Sequence, residues 1–214
     1  MADDARFGDM TLDAFLDAMG SSAPTPGGGA AAAIAGATGA ALIAMVGRLT
    51  VGKPGFEDLD ERMQALVRRA DDARAEFLDL AGRDAEAFEA VMESFRLPKE
   101  SDVERASRTE AIQRGFEGAA AVPLEIGRRA VDLLELAEDA TAMGNPNAAS
   151  DGMSAAGMLL AAATCARANV EINATSLKDE ARRQSLLDEA AAIRERADTL
   201  VEQCRTAFGL RLTA

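Results

Sequence analysis

Ser21 to Gly47 reads SSAPTPGGGAAAAIAGATGAALIAMVG and carries no charged side chain. The run reaches the roughly 18–20 residues that a helix needs to cross a bilayer, so its reading decides between a membrane span and a core helix. It opens on Pro24, Pro26 and Gly27-Gly28-Gly29, and beyond them Ala and Gly dominate, with only Ile34, Leu42, Ile43, Met45 and Val46 supplying bulk. Ala32, Gly36, Ala40 and Ala44 recur at four-residue spacing, which puts small residues on one helix face and lets another backbone approach closely. The expectation is a buried helix, with no membrane as partner.

Outward from this segment, apolar residues recur with a period near 3.6, and no alternating β-branched run is bounded by hairpin turns. The class predicted is all-α. A short helix follows Thr11, and the uncharged helix ends around Gly52-Lys53-Pro54-Gly55. A long helix runs from about Asp58 to Phe95, and Leu97-Pro98 stops it. Ser101-Asp102-Val103-Glu104 reads as a capping box that opens a fourth helix, with a kink expected at Pro123. After Gly144-Asn145-Pro146-Asn147 comes a fifth helix, roughly Ser150 to Thr175, crowded with Ala155, Ala156, Gly157 and Ala161 to Ala163. A polar last helix is expected from about Asp179 to Phe208. The arrangement predicted is a single domain over residues 1–214, a multihelical bundle with the two small-residue helices, second and fifth, at its centre.

The 0 His, 0 Trp and 0 Tyr remove the commonest metal ligand and the commonest acid-base side chain together. No metal site is expected, and chemistry falls to carboxylates, Lys, Arg, Asn, Ser, Thr or backbone. A net charge of -13 argues against nucleic acid and anionic membranes as partners. Cys165 and Cys204 lack CxxC spacing and are expected to be reduced thiols. The opening MADDARFGDM carries acids where a secretory leader carries basic and then apolar residues, so a cytoplasmic location is expected. Lysine is confined to Lys53, Lys99 and Lys178. A high-salt cytoplasm and a GC-rich genome explain that bias, and the abundance of Arg and Ala, equally well.

Pro24-Thr25-Pro26-Gly27-Gly28-Gly29 opens a helix, which offers unpaired backbone N–H groups to an anion or a carbonyl; close packing at glycine is the plainer alternative. A second loop, Gly144 to Asp151, with Asn145, Asn147, Ser150 and Asp151, also opens a small-residue helix. Asp84 is the sharpest single residue. It stands four after Leu80 and four before Phe88, inside the apolar stripe of the long helix, where a carboxylate is costly unless paired. It is therefore a catalytic candidate or one half of a buried ion pair with an Arg. Asn169 and Asn173 share a helix face and can hydrogen-bond a heterocycle or brace a neighbouring helix. Arg48 and Lys53 are rare cations after the uncharged run, placed to hold a substrate carboxylate or merely to complement a helix C-terminus.

Seven stretches, taken together and in order, resemble the cyclodeaminase/cyclohydrolase family of folate enzymes. They are PTPGGGAAAAIAGATGAAL (Pro24–Leu42), MVGRLTVGK (Met45–Lys53), DAEAF (Asp84–Phe88), LPK (Leu97–Lys99), VPL (Val122–Leu124), GNPNAASD (Gly144–Asp151) and NVEIN (Asn169–Asn173). The family includes the cyclodeaminase half of bifunctional formiminotransferase-cyclodeaminase and stand-alone methenyltetrahydrofolate cyclohydrolases. The resemblance implies a multihelical fold, a homodimer as the basic unit and Asp84 as the catalytic acid-base residue. It also implies a tetrahydrofolate substrate with no further cofactor, bound near the helix-opening loops. The expected cleft is lined by Pro24, Thr25, Pro26, Gly27, Gly28, Gly29, Asn145, Asn147, Ser150 and Asp151, with Lys53, Asn169 and Asn173. The lone domain tilts the expected reaction towards cyclohydrolase, with cyclodeaminase as the alternative. A non-catalytic folate binder or helical dimerisation module is the reading from another class.

Overall fold

A computed structural model describes residues 7–213 of the chain, so residues 1–6 of the acidic opening, and both ends of the 1–214 domain, lie outside the described residues. The described residues form helices with no strand. In chain order they are α1 (Leu12–Met19), α2 (Gly28–Arg48), α3 (Asp60–Arg96), α4 (Asp102–Met143), α5 (Ala149–Ala174) and α6 (Glu180–Thr213), with one short 3-10 turn before α1 and two between later helices. The capping chemistry read from the sequence is in place. Thr11 accepts the Ala14 N–H at 3.2 Å. At the head of α4 the Ser101 hydroxyl accepts the Glu104 N–H at 3.2 Å while the Glu104 carboxylate accepts the Ser101 N–H at 2.7 Å, so two orphan donors are satisfied reciprocally.

The helix directions follow from which glycines meet which neighbours. A Cβ at Gly36 would stand 2.5 Å from the Phe77 ring, and one at Gly47 would stand 2.6 Å from Val67, so α3 runs antiparallel to α2 and its bulky side chains fill the notches. On the other side Gly28 lies beside Asn169, and Gly39 lies beside Leu159 and the Ala155 carbonyl, so α5 is also antiparallel to α2. The α4 helix packs against α2, α3, α5 and α6. Phe77, Ile43, Met63, Ile126, Leu134 and Leu159 are fully buried between these helices. The 21-residue α2 is long and apolar enough to cross a membrane, with a mean hydropathy of 1.8, yet 61% of its most apolar window is buried inside this bundle.

Two boundaries differ from the sequence reading. The last helix continues past Phe208 to Thr213, because Gly209 faces open space and the Arg211 guanidinium is anchored on the Thr141 and Gly144 carbonyls at 3.3 and 3.1 Å. The expected disturbance at Pro123 does not interrupt α4. Proline supplies no N–H to the carbonyl four residues earlier, here Ala119, and the Asn173 side-chain amide donates to that carbonyl at 2.9 Å in its place. Asn173→Ala is expected to cost about 1–3 kcal/mol in chemical unfolding, the scale for a carbonyl left unpaired in the interior. Pro123→Ala restores a backbone donor, so the same Asn173 substitution is expected to cost markedly less in that background. An equal cost in both backgrounds would assign Asn173 some other role.

Candidate active site

Asp84 lies on α3 where the helix begins to leave the core. Phe77, Leu80 and Ala81 before it are buried, whereas after it Phe88 is only half-buried, Met92 and Phe95 are exposed, and Val91 and Ser94 are the positions that stay buried. The side chain is half-buried and points at the first turn of α2. Gly27 caps that turn and contributes no side-chain hydrogen bond, and the Asp84 carboxylate takes over by accepting the Ala30 backbone N–H. The approach is so close that a Cβ on Gly29 would overlap the carboxylate. Burial pushes the Asp84 pKa above the ordinary carboxylate value, and the Ala30 hydrogen bond only partly opposes it. No Arg or Lys among the described residues lies within ion-pair distance of Asp84. The neighbouring Arg83 is engaged with Glu125 at 2.9 Å, which corrects the buried-ion-pair alternative. What the alternative missed is the helix N-terminus, which supplies the partial positive charge that an Arg would otherwise bring.

Around this carboxylate the structure gathers part of the predicted set. Pro26 and Gly29 are buried, Pro24 and Gly28 are exposed, and Thr25 and Gly27 are intermediate. A Cβ on Gly28 would stand 3.0 Å from the Asn169 amide nitrogen, so Asn169 and Asp84 flank consecutive glycines. Asn169 spends one amide hydrogen on the Cys165 carbonyl at 2.8 Å and keeps its oxygen free of protein donors among the described residues. Asn173 is differently placed: its amide nitrogen serves the Ala119 and Asn169 carbonyls, both at 2.9 Å, which makes it a brace for the bundle.

The remaining candidates lie at the other end of α2. Lys53 donates to the Asn145 side-chain oxygen at 2.5 Å and sits over the Phe56 ring, and no carboxylate among the described residues forms an ion pair with it. Asn145 is tied to the end of α2 by its amide to the Leu49 carbonyl at 3.1 Å and by its N–H to the Thr50 hydroxyl at 2.8 Å. Asn147 and Ser150 are exposed beside it, and Asp151 lies in the first turn of α5. Arg48 pairs with Asp71 and is not available as a free cation. Because α2 and α5 are antiparallel, the loop that opens each helix adjoins the end of the other. With 21 residues in α2 the two groups stand about 30 Å apart. One chain therefore does not bring the predicted cleft together, which corrects the expectation of a single pocket.

Two supporting residues escaped the sequence reading. Thr50 is fully buried and links the Val46 carbonyl to Asn145, and it lies within the MVGRLTVGK stretch where it passed as filler. Arg211 secures Gly144 from beyond the expected end of α6. The groove of about 840 Å³ between α4 and α6, lined by Glu138, Glu202 and Arg211 among others, includes none of the predicted residues. Cys204 is buried and burial, then the Glu138 charge, pushes its thiol up to about 12, so it acts as an apolar filler.

Residues 11–192 match the formiminotransferase-cyclodeaminase family. The chain belongs to that family. It is similar to a methenyltetrahydrofolate cyclohydrolase of Methylorubrum extorquens, 39% identical over 88% of this chain and 94% of the other. It is also similar to the formimidoyltransferase-cyclodeaminase of Rattus norvegicus, 34% identical over 95% of this chain but only 36% of that longer protein. The crystal structure of a formiminotetrahydrofolate cyclodeaminase from Thermotoga maritima superposes with a TM-score of 0.85 at 32% identity, over 94% of this chain and 97% of that one. The all-helical formiminotransferase-cyclodeaminase fold thus accounts for nearly the whole chain.

Proposed function

We propose that this chain is a methenyltetrahydrofolate cyclohydrolase that hydrates 5,10-methenyltetrahydrofolate to 10-formyltetrahydrofolate as a homodimer in the cytoplasm, with the small-residue helices α2 and α5 at its centre. The observation that carries the reading is Asp84, a desolvated carboxylate without an ion-pair partner among the described residues, set at the glycine-opened start of an uncharged helix. Such a group favours a cationic substrate and holds a proton readily once that charge is discharged. In the reaction, the oxygen of water bonds to the methenyl carbon, and one water proton passes to Asp84. The tetrahedral adduct then opens: its hydroxyl proton leaves to solvent, the carbon–nitrogen-5 bond breaks, and Asp84 returns its proton to nitrogen-5. The folate is both substrate and carrier of the one-carbon unit, and the proposal includes no other cofactor.

The similarity over 94% of a stand-alone cyclohydrolase supports hydration over deamination. The likeness to the Thermotoga maritima cyclodeaminase favours the second reading, in which nitrogen-10 attacks a 5-formimino carbon and ammonia leaves. Purified enzyme is expected to bleach the absorbance of 5,10-methenyltetrahydrofolate faster than buffer alone. Release of ammonia from 5-formiminotetrahydrofolate without that bleaching would decide for the deaminase. Inertness towards both folates would refute the enzyme assignment.

A further inference from the structure

We propose that Arg211, in the last turn of α6, is a positioning residue for substrate binding: with Thr50 it clamps the peptide unit between Gly144 and Asn145, and through Asn145 it aims the Lys53 ammonium. The inference rests on the folate reading above, with Lys53 as the cation that meets a folate carboxylate. Arg48, the other cation read from the sequence as a carboxylate holder, is paired with Asp71. Lys53 stands about 30 Å along α2 from the Asp84 of its own chain. What it supplies to a site in the homodimer is binding and not proton transfer, so its position is read in KM.

The last turn of α4, which ends at Met143, leaves carbonyls without intrahelical partners. The Gly144 N–H serves that of Ala140 at 3.0 Å. Arg211 serves the next, donating its Nε to the Thr141 carbonyl at 3.3 Å, and its Nη2 reaches on to the Gly144 carbonyl at 3.1 Å. The other polar group of that same peptide, the Asn145 N–H, donates to the buried Thr50 hydroxyl at 2.8 Å, and Thr50 passes its own proton to the Val46 carbonyl at 2.7 Å. A guanidinium from α6 and a hydroxyl from the end of α2 thus fix both ends of one peptide dipole. Gly144 leaves it little slack, since a Cβ there would stand 2.4 Å from the Ala140 carbonyl oxygen and 2.7 Å from Val46. The orientation passes to the Asn145 side chain, whose oxygen accepts the Lys53 ammonium at 2.5 Å and the Asn147 N–H at 3.1 Å. An amide oxygen is neutral, so it aims the ammonium without compensating its charge and leaves two of its three N–H bonds for a ligand. Arg211 shares a groove with Glu138 and Glu202, yet it forms no ion pair among the described residues and spends its donors on these carbonyls, where its charge also complements the C-terminal end of α4.

Arg211→Met is expected to raise KM for methenyltetrahydrofolate about 3- to 10-fold, the scale of a charged contact set off its geometry, with kcat within about 2-fold of the wild type. Arg211→Lys keeps a donor for one carbonyl and is expected to recover most of that loss. Thr50→Val releases the same peptide from its other side, is expected to raise KM alike, and carries the test if Arg211→Met does not fold. Arg196→Met is the control: Arg196 also ties α6 to α4, through Glu135 at 3.0 Å, but about four turns away from the loop, and its KM is expected to be that of the wild type. In a Lys53→Met background, itself raised in KM, Arg211→Met is expected to add nothing, because it acts through Lys53. Amine labelling gives a readout without turnover. With limiting acetic anhydride, and the exposed Lys99 and Lys178 as internal standards, Lys53 is expected to react about 3-fold faster in Arg211→Met, since the amine held by Asn145 must be released before it is acetylated. Equal KM changes in Arg211→Met and Arg196→Met, a fall in kcat alone, wild-type KM in Lys53→Met, or an Arg211 effect undiminished in the Lys53→Met background overturns the proposal. A wild-type enzyme inert on both folates, with Lys53 labelling raised by Arg211→Met and not by Arg196→Met, removes the folate reading and supports the clamp. Active wild type with KM and labelling both unmoved by Arg211→Met removes the clamp alone.

Discussion

Asp84→Asn is expected to lower turnover of the folate substrate by about 10²-fold or more while leaving its binding largely intact, because the amide keeps the size and one acceptor of the carboxylate but exchanges no proton. The same substitution separates catalysis from a structural role, since Asp84 also accepts the Ala30 N–H at the start of α2. Burial is the dominant influence on its pKa and raises it. A carboxyl group whose folded pKa is raised contributes stability below its unfolded pKa and loses that contribution as pH rises through the folded value. The Asn variant is therefore expected to melt above the wild type at neutral pH, with the difference closing in acid. If the charge were there mainly to cap α2, the variant would melt below the wild type and turn over normally. Paired melting curves and steady-state rates across pH decide between the two outcomes.

Gly29→Ala is expected to cost turnover on a similar scale, about 10²-fold, with only a modest change in secondary structure. The added methyl overlaps the Asp84 carboxylate and must push it off the Ala30 N–H, and a displacement near 1 Å at a reacting group is enough for a loss of that order. Crowding at this contact also makes a stability loss of about 1–3 kcal/mol the expected result of denaturant titration. Two neighbours calibrate the effect. A Cβ at Gly28 meets only the Asn169 amide, at 3.0 Å, and that side chain can turn aside, so Gly28→Ala is expected to be milder. Gly82, two residues before Asp84 on α3, has open space around its Cβ, and Gly82→Ala should match the wild type in rate. A Gly29→Ala enzyme as active as the Gly82→Ala enzyme would show that the carboxylate is not held where the reaction occurs.

Each helix was legible in the sequence because its signals are local. Apolar spacing near 3.6 marked α2 to α6, and the Ser101–Glu104 capping box opened α4 where it was expected. The Asp84 position was legible for the same reason: a carboxylate four residues from Leu80 and from Phe88 must lie on the apolar side of its helix. The end of α6 was not, since Arg211 holds the last turn through carbonyls some seventy residues away. For Asn173 the sequence offered bracing a neighbouring helix as one alternative, but not its partner, a carbonyl exposed by a proline on another helix.

The sequence by itself thus determined the helical class, the small-residue, charge-free runs within α2 and α5 and the identity of the unusual carboxylate, because periodicity and composition act over a few residues. Only the tertiary structure decided what stands beside what. It gave Asp84 a helix N-terminus in place of an arginine, and it separated the two glycine- and asparagine-bearing loops by the length of a helix. The reason is geometric: a rise of about 1.5 Å per residue along two antiparallel helices carries their opening loops to opposite ends, whatever chemistry those loops share.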